Sequence, residues 1–333
     1  MDTFYASMEN EKKYSDAFES ALKNYLEKKS PENLYEPIQY VLSLEGKRIR
    51  PLLVLMSADL FGNKYKEAVG AALAIEIFHN FTLVHDDIMD NAELRRGSAT
   101  VHNKWNINTG IISGDVMLIK AYQALEEYEN PLFSKLTKLL NKTALEVCEG
   151  QQYDIDFEEK EDVNQNNYLE MIRLKTAVLI GCALKMGALI ADASHHDLEA
   201  IYEFGELLGI AFQIQDDYLD VYGDSISFGK KIGGDIIENK KTILFHCAMS
   251  NSSINEKKEL LKWYDKRTGN EIGNKKIDVV KSIYDKTNAG DACLKLVNDY
   301  TIKAFNKLSH LGISQEAKTL FKNFGNNLMK REF

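Results

Sequence analysis

Apolar residues recur along this chain at intervals of three and four. Leu52, Leu55, Met56 and Leu60 form one stripe, and Leu73, Ile77, Phe81 and Val84 form the next. That spacing keeps one face of an α-helix apolar and does not alternate as a half-buried strand would. The only prolines are at 31, 37, 51 and 131, and turn pairs such as Asn-Gly between alternating strands are missing. Breaks are expected at FGNKY (61–65), at NAELRRGSATVHNKWN (91–106), at Asn130-Pro131, at ADASHHD (191–197) and at YGDSISFGKKIGGD (222–235). The pattern predicts an all-α chain of ten or more helices. No Gly-, Ser- or Pro-rich linker divides it, so one domain over residues 1–333 is expected. The lysine-rich stretch from 250 to 300 reads as a solvated loop between surface helices.

Composition narrows the class. The chain has 333 residues, 44% hydrophobic and 27% charged, which supports a sizeable core and excludes disorder. A net charge of −9 argues against a nucleic-acid or anionic-membrane surface, so any anion site must be a local basic cluster. Cys148, Cys182, Cys247 and Cys293 are widely spaced and form no C-x-x-C pair. They read as buried thiols in a reducing compartment, not as a disulfide framework or a zinc site. The first residues, MDTFYASMENEKKYSD, are polar and acidic, unlike a signal peptide. No apolar run approaches the roughly 18 residues of a membrane span. A cytoplasmic protein without integral membrane association is expected.

Two stretches carry the chemistry. LVHDDIMD (83–90) places Asp86, Asp87 and Asp90 together, and QIQDDYLD (213–220) repeats the spacing with Asp216, Asp217 and Asp220. Ionised neighbours at i and i+4 repel, and the C-terminal end of a helix, where each cluster would lie, disfavours negative charge. Both clusters follow apolar stretches. Two unfavourable placements of the same pattern need a compensating cation. Oxygen-only ligands suit Mg²⁺, which keeps several waters and shares its coordination with phosphate. Zinc calls for His and Cys ligands, and the calcium-loop spacing D-x-D-x-D-G is absent. A diphosphate is the natural ligand common to both clusters.

Basic residues suited to that anion stand nearby in sequence. GKRIRP (46–51) supplies Lys47, Arg48 and Arg50; Arg95 and Arg96 follow the first cluster. RLKTAVLIG (173–181) sets Lys175 beside Thr176 in apolar surroundings, and FGKKIGGDIIENKKT (228–242) offers Lys230, Lys231, Lys240 and Lys241. Arginine forks bind phosphate bidentately, and lysine acts as a point charge. His79 lies seven residues before Asp86, on nearly the same helix face. It is either a core histidine satisfied by a carbonyl or a phosphate donor lining the same cavity. His85 reads as a residue behind the acids or at the surface.

GKRIRP, HDDIMD with its trailing Arg95-Arg96, GQQYD (150–154), LKTA, FQIQDDYLD and GK…GGD…NKKT stand in the order in which the trans-isoprenyl diphosphate synthases (polyprenyl synthetases) carry them. Over residues 40–245 the chain resembles that family, and its end, LMKREF, is similar to the tail that closes over substrate there. The resemblance implies a single large helical bundle around a deep central cavity, usually as a homodimer. It implies that Asp86, Asp87, Asp90, Asp216, Asp217 and Asp220 bind about three Mg²⁺ ions shared with an allylic diphosphate. Arg95, Lys175, Thr176, Gln213, Lys230 and Lys240 then contact that diphosphate, and Lys47, Arg50, His79 and Arg96 hold isopentenyl diphosphate. Gln151 and Asp154 are expected to orient the acids. The implied reaction is head-to-tail (1'-4) condensation.

Product length should depend on side chains one or two turns before the first acid cluster. Thr82 lies about 40° and Phe81 about 140° from the Asp86 direction in ideal geometry. Geometry alone makes Thr82 the wall; the role of Phe81 rests on the resemblance. One Phe at the earlier position resembles a twenty-carbon enzyme, so geranylgeranyl diphosphate is favoured, farnesyl diphosphate next, and a longer polyprenyl product is the alternative. A class I terpene cyclase would carry an N-x-x-x-S/T-x-x-x-E second motif in place of the second D-D-x-x-D. A non-catalytic partner subunit should have lost acids or arginines. A purely structural helical protein would need both clusters to be coincidence.

Overall fold

The computed structural model describes residues 2–25, 29–160, 162–223, 232–265 and 273–330, with the backbone alone at 2–11 and 274. Lys230, Lys231 and the last three residues of LMKREF lie outside the described residues. Helices dominate, as the apolar spacing predicts. The first group is α1 (Asp2–Tyr25), α2 (Glu32–Ser43), α3 (Ile49–Gly62), α4 (Val69–Met89), α5 (Val101–Lys104) and α6 (Ile107–Gln123). Then come α7 (Leu132–Glu159), α8 (Gln165–Ile172), a π-helical turn (Arg173–Ala177), α9 (Val178–Ile190) and α10 (His195–Tyr222). The chain continues through α11 (Gly234–Ile237), α12 (Ile243–Asn251), α13 (Ile254–Trp263), α14 (Gly273–Lys286), α15 (Ala289–Ser309) and α16 (Gln315–Met329). The lysine-rich stretch is therefore mostly helix, not loop. Lys276 in α14 is buried, donates to Asn239 Oδ1 at 2.6 Å and lies over the Tyr264 ring. No described helix is long and apolar enough to cross a membrane.

The chain divides into two compact units. The first comprises residues 1–142, 182–202 and 311–320, and the second comprises residues 143–181, 203–310 and 321–333. In the first, α4 packs against α3 and α6, with α1 and α2 alongside. Helix α4 is apolar nearly all round, the mark of an enclosed helix. Its Ala71, Ala72, Ile75, Ile77 and Phe78 are fully buried. The core of the second unit gathers Ile214, Phe245, Tyr264, Tyr284 and Cys293 from α10, α12, α14, α15 and the residue after α13.

Local backbone chemistry fixes where the motifs point. Helix α4 stops in a Schellman motif: Asn91 is left-handed (φ 51°), its N–H donates to the Ile88 carbonyl at 3.3 Å, and Ala92 N–H donates to the Asp87 carbonyl at 2.9 Å. That ending seats Asp87 and Asp90 in the last turn. A small hairpin follows, β1 (Leu94–Arg95) paired with β2 (Ser98–Ala99). Its two turn residues, Arg96 (φ 54°) and Gly97 (φ 75°), both adopt the positive φ of a type I′ turn. The hairpin is an addition to the expected all-α chain, in the segment read as a break. In the second unit, a Cβ at Gly150 of α7 would lie 2.3 Å from Lys175 N, and one at Gly209 of α10 would lie 2.7 Å from Ala177 Cα. Both helices need glycine there to approach the π-turn.

Candidate active site

The first unit sets one acid cluster at the C-terminal end of α4 and one basic cluster around the middle of the same helix. Asp87 is buried, and the Arg95 guanidinium donates to its Oδ1 through Nε at 2.9 Å and Nη2 at 2.5 Å. The same Nη2 lies 3.6 Å from Asp86 Oδ2. Burial pushes the Asp87 carboxyl above its usual range even though Arg95 opposes this. Asp86 is half-buried and Asp90 exposed. The surroundings of Asp87 thus already accept a cation beside it.

The basic residues gather around His79. Arg50 Nη1 lies 3.1 Å from His79 Nε2. An arginine only donates, so Nε2 accepts and the proton of the neutral ring sits on Nδ1. Burial and then Arg50, Arg96, Arg95 and Arg48 hold His79 well below the ordinary histidine range. Arg96 lies against the GKRIRP loop: a Cβ at Gly46 would fall 2.6 Å from its Nη1. Lys47 is exposed on that loop. The structure therefore collects Arg50, His79, Arg96 and the Lys47 loop into one electropositive patch.

Arg48 has a different task. Its Nη1 donates to Glu76 Oε1 at 2.6 Å, and its Nη2 donates to the carbonyls of Leu42 at 2.6 Å and Leu44 at 3.0 Å. Glu76 is 1% exposed inside α4 and also accepts from Asn80 Nδ2 at 2.9 Å. Arg48 itself is left-handed (φ 46°) at the start of α3. The buried pair ties the loop carrying Lys47, and the first turn of α3 carrying Arg50, to the helix carrying His79.

The second unit builds the other acid cluster. Asp217 is buried and accepts from Tyr168 Oη at 2.5 Å, Ile243 N at 3.3 Å and Gln213 Nε2 at 3.2 Å. Burial, then Asp235, raises its carboxyl well above the usual range. Asp220 is buried and its Oδ2 accepts from Asp235 N at 3.2 Å, which draws the GGD segment to the cluster. Asp216 is half-buried. Thr176 Oγ1 donates to Gln213 Oε1 at 3.2 Å. Lys175 Nζ donates to Asp154 Oδ2 at 2.6 Å, so Asp154 orients this lysine, not an aspartate of the clusters. Lys240 pairs with Glu238 at 2.8 Å. No sequence motif flags Tyr168, which lies outside every signature segment. Lys230 lies outside the described residues.

Upstream of Asp86, the Phe81 ring packs on Phe78 (5.6 Å) and His85 (4.9 Å), while the Thr82 hydroxyl donates to the His79 carbonyl at 2.8 Å. His85 Nε2 lies 3.1 Å from the Ile111 carbonyl of α6, so this histidine faces α6. The donor set at both clusters is carboxylate oxygen alone, the hard set that suits Mg²⁺. Among the described residues no three His, Cys, Asp or Glu side chains lie close enough together to hold a metal unaided.

The sequence profile of the polyprenyl synthetase family matches residues 31–285. A geranylgeranyl diphosphate synthase of Methanosarcina mazei is 40% identical over 235 residues, 70% of this chain and 72% of that one. One of Sulfolobus acidocaldarius is 37% identical over 294 residues, 87% of this chain and 88% of that one. Among solved structures, a geranylgeranyl pyrophosphate synthase superposes with a TM-score of 0.93 at 47% identity, covering 97% of this chain and 99% of that one.

Proposed function

The chain belongs to the polyprenyl synthetase family, and on that premise we propose that it is a trans-prenyltransferase condensing isopentenyl diphosphate head-to-tail with an allylic diphosphate. The observation that supports this most is that α4 carries buried Asp87 in its last turn and, about two turns earlier, a separate cationic patch around neutral His79. A cyclase binds one diphosphate; the second cationic patch suits a second diphosphate substrate. The relatives named as geranylgeranyl diphosphate synthases favour a twenty-carbon product, with farnesyl diphosphate next.

In this reading residues 1–333 act as one catalytic domain, and both acid clusters serve the allylic diphosphate. Asp86, Asp87, Asp90, Asp216, Asp217 and Asp220 would hold Mg²⁺, about three ions when diphosphate is bound. Bound Mg²⁺ supplies Lewis-acid stabilisation of the charge on a departing diphosphate. Arg95, Lys175, Thr176, Gln213 and Lys240, with Lys230, hydrogen-bond the same group as its C–O bond breaks and the electron pair leaves with it. Lys47, Arg50, Arg96 and His79 Nδ1–H hold isopentenyl diphosphate so that its double bond meets the allylic cation without a diffusional encounter. The new carbon–carbon bond leaves a tertiary cation, and a proton passes to the departed diphosphate. Apolar walls exclude water that would quench the cation. Phe81 and Thr82 set how far the tail descends.

The proposal extends to a cytoplasmic homodimer. Helix α6 leaves Ile107, Ile111, Ile112 and Ile119 exposed at 41–58%, an apolar face that a second copy would cover. Light scattering on the purified protein should give the dimer mass, and Ile112→Asp the monomer mass. The function itself is tested with Mg²⁺, isopentenyl diphosphate and an allylic primer. Diphosphate release and a twenty-carbon product are expected, and Asp87→Ala should abolish turnover with the helical circular dichroism intact. Absence of any condensation product, or full turnover in Asp87→Ala, contradicts the assignment.

A further inference from the structure

Asp217 is 3% exposed and meets its donors unevenly. Oδ2 takes Tyr168 Oη at 2.5 Å and Ile243 N at 3.3 Å, while among the described residues Oδ1 takes the Gln213 amide alone, at 3.2 Å. Gln213 is in turn fixed by Thr176 Oγ1. Two side chains of the α8–α9 segment, Tyr168 and Thr176, thus reach the i, i+4 pair Asp217 and Gln213 on α10.

The π-helical turn that follows Tyr168 and contains Thr176 makes this possible. In an unbroken α-helix, residues eight apart differ by about 80° in direction at 100° per residue. The π-turn at Arg173–Ala177 admits one extra residue. Removing one step of about 100° leaves Tyr168 and Thr176 about 20° apart, on one face. Gln213 and Asp217 are about 40° apart on α10, also one face. Gly150 and Gly209, which lack the Cβ that would strike the turn, let α7 and α10 hold it from two sides.

We propose that Tyr168 and the π-turn form a positioning bracket for Asp217, turning Oδ2 inward and leaving Oδ1 as the oxygen that faces the cation-bound diphosphate. This inference rests on the function proposed above. Tyr168 touches no reacting atom; it acts through Asp217, as outer partners of metal-binding carboxylates do.

Tyr168→Phe keeps the ring and removes only the donor. Mn²⁺ is titrated into wild-type and variant protein with inorganic diphosphate present, and free Mn²⁺ is read by electron paramagnetic resonance. The variant should bind Mn²⁺ about 10- to 100-fold more weakly, with kcat lowered in parallel. KM for isopentenyl diphosphate should be nearly unchanged, and the melting midpoint of metal-free protein should fall by no more than about 4 °C. In an Asp217→Asn background the same substitution should add nothing. Unchanged Mn²⁺ affinity, or an equal loss in the Asp217→Asn background, overturns the bracket. Should Tyr168→Phe fail to fold, the double variant Tyr168→Phe/Asp217→Asn should fold, because the stranded carboxylate is gone. A double variant that stays unfolded overturns the proposal. Failure of the functional reading is seen separately, in wild-type protein that condenses nothing.

Discussion

Replacing Arg48 with Ala leaves Glu76, a carboxylate only 1% exposed, without its ion-pair partner; Asn80 still hydrogen-bonds it and Arg96 acts on it only through the longer-range field. Removing one partner of a buried ion pair costs about 3–5 kcal/mol, because the other charge stays buried. At about 2.1 cal/mol/K per residue, the 333 residues give an unfolding entropy of about 0.7 kcal/mol/K. The melting midpoint should therefore fall by about 4–7 °C. The change also frees the carbonyls of Leu42 and Leu44, which Arg48 holds within 3.0 Å. That loosens the loop bearing Lys47 and the start of α3 bearing Arg50. KM for isopentenyl diphosphate should rise by roughly ten- to a hundredfold, as expected when a binding group loses its position. The double variant Arg48→Met/Glu76→Leu separates the two effects. With no charge left to strand, its stability should return to within about 1–2 kcal/mol of wild type or exceed it. KM should stay raised, since the carbonyls remain unheld. Scanning fluorimetry and steady-state kinetics read both quantities. A double variant as unstable as the single one refutes the stranded-charge account, and an unchanged KM in both refutes the link to the loop.

Three further outcomes follow from the same geometry. Asp217 is held well above the usual carboxylate range by burial, so the folded state binds its proton more tightly than the unfolded chain. Its stabilising contribution is full below the unfolded value of about 3.9 and is lost as pH rises through the folded value. The midpoint of metal-free Asp217→Asn should therefore gain on wild type as pH rises from about 4; a constant difference would contradict the reading. Gly150→Ala places a Cβ 2.3 Å from Lys175 N, which should cost about 1–3 kcal/mol and lower kcat while sparing KM for isopentenyl diphosphate; unaltered stability and kcat would show that the close approach is dispensable. Phe81→Ala removes a ring packed on Phe78 and His85, costs about 3–5 kcal/mol and should lengthen the product when chains are sized by chromatography; an identical product would place the floor elsewhere.

The helices and all six aspartates were legible because their signals are periodic or repeated. Leu73, Ile77, Phe81 and Val84 mark the buried face of α4, and D-D-x-x-D written twice would need coincidence in a purely structural protein. The hairpin at 94–99 was not legible, because two residue pairs are too short to alternate. Its only sign is Gly97 after Arg96, both at positive φ. By sequence alone Arg48 reads as one more phosphate ligand in GKRIRP. The signal against that was Glu76, a lone acid in an apolar run, which needs a buried cation. Lys276 read as solvated because its neighbours in sequence are polar, yet Asn239 and the Tyr264 ring take it into the second unit. Tyr168 left no trace, since its partner lies 49 residues away and a π-turn that no periodicity predicts sets its direction.

The central claim is that two aspartate clusters from distant parts of the chain serve one diphosphate. Crystals grown with Mn²⁺ and a non-reactive thio analogue of an allylic diphosphate test it through anomalous scattering. The account predicts manganese peaks bound by aspartates of both clusters, Asp217 among them, and sharing a single diphosphate. Peaks confined to one cluster, or a separate diphosphate at each, would contradict it.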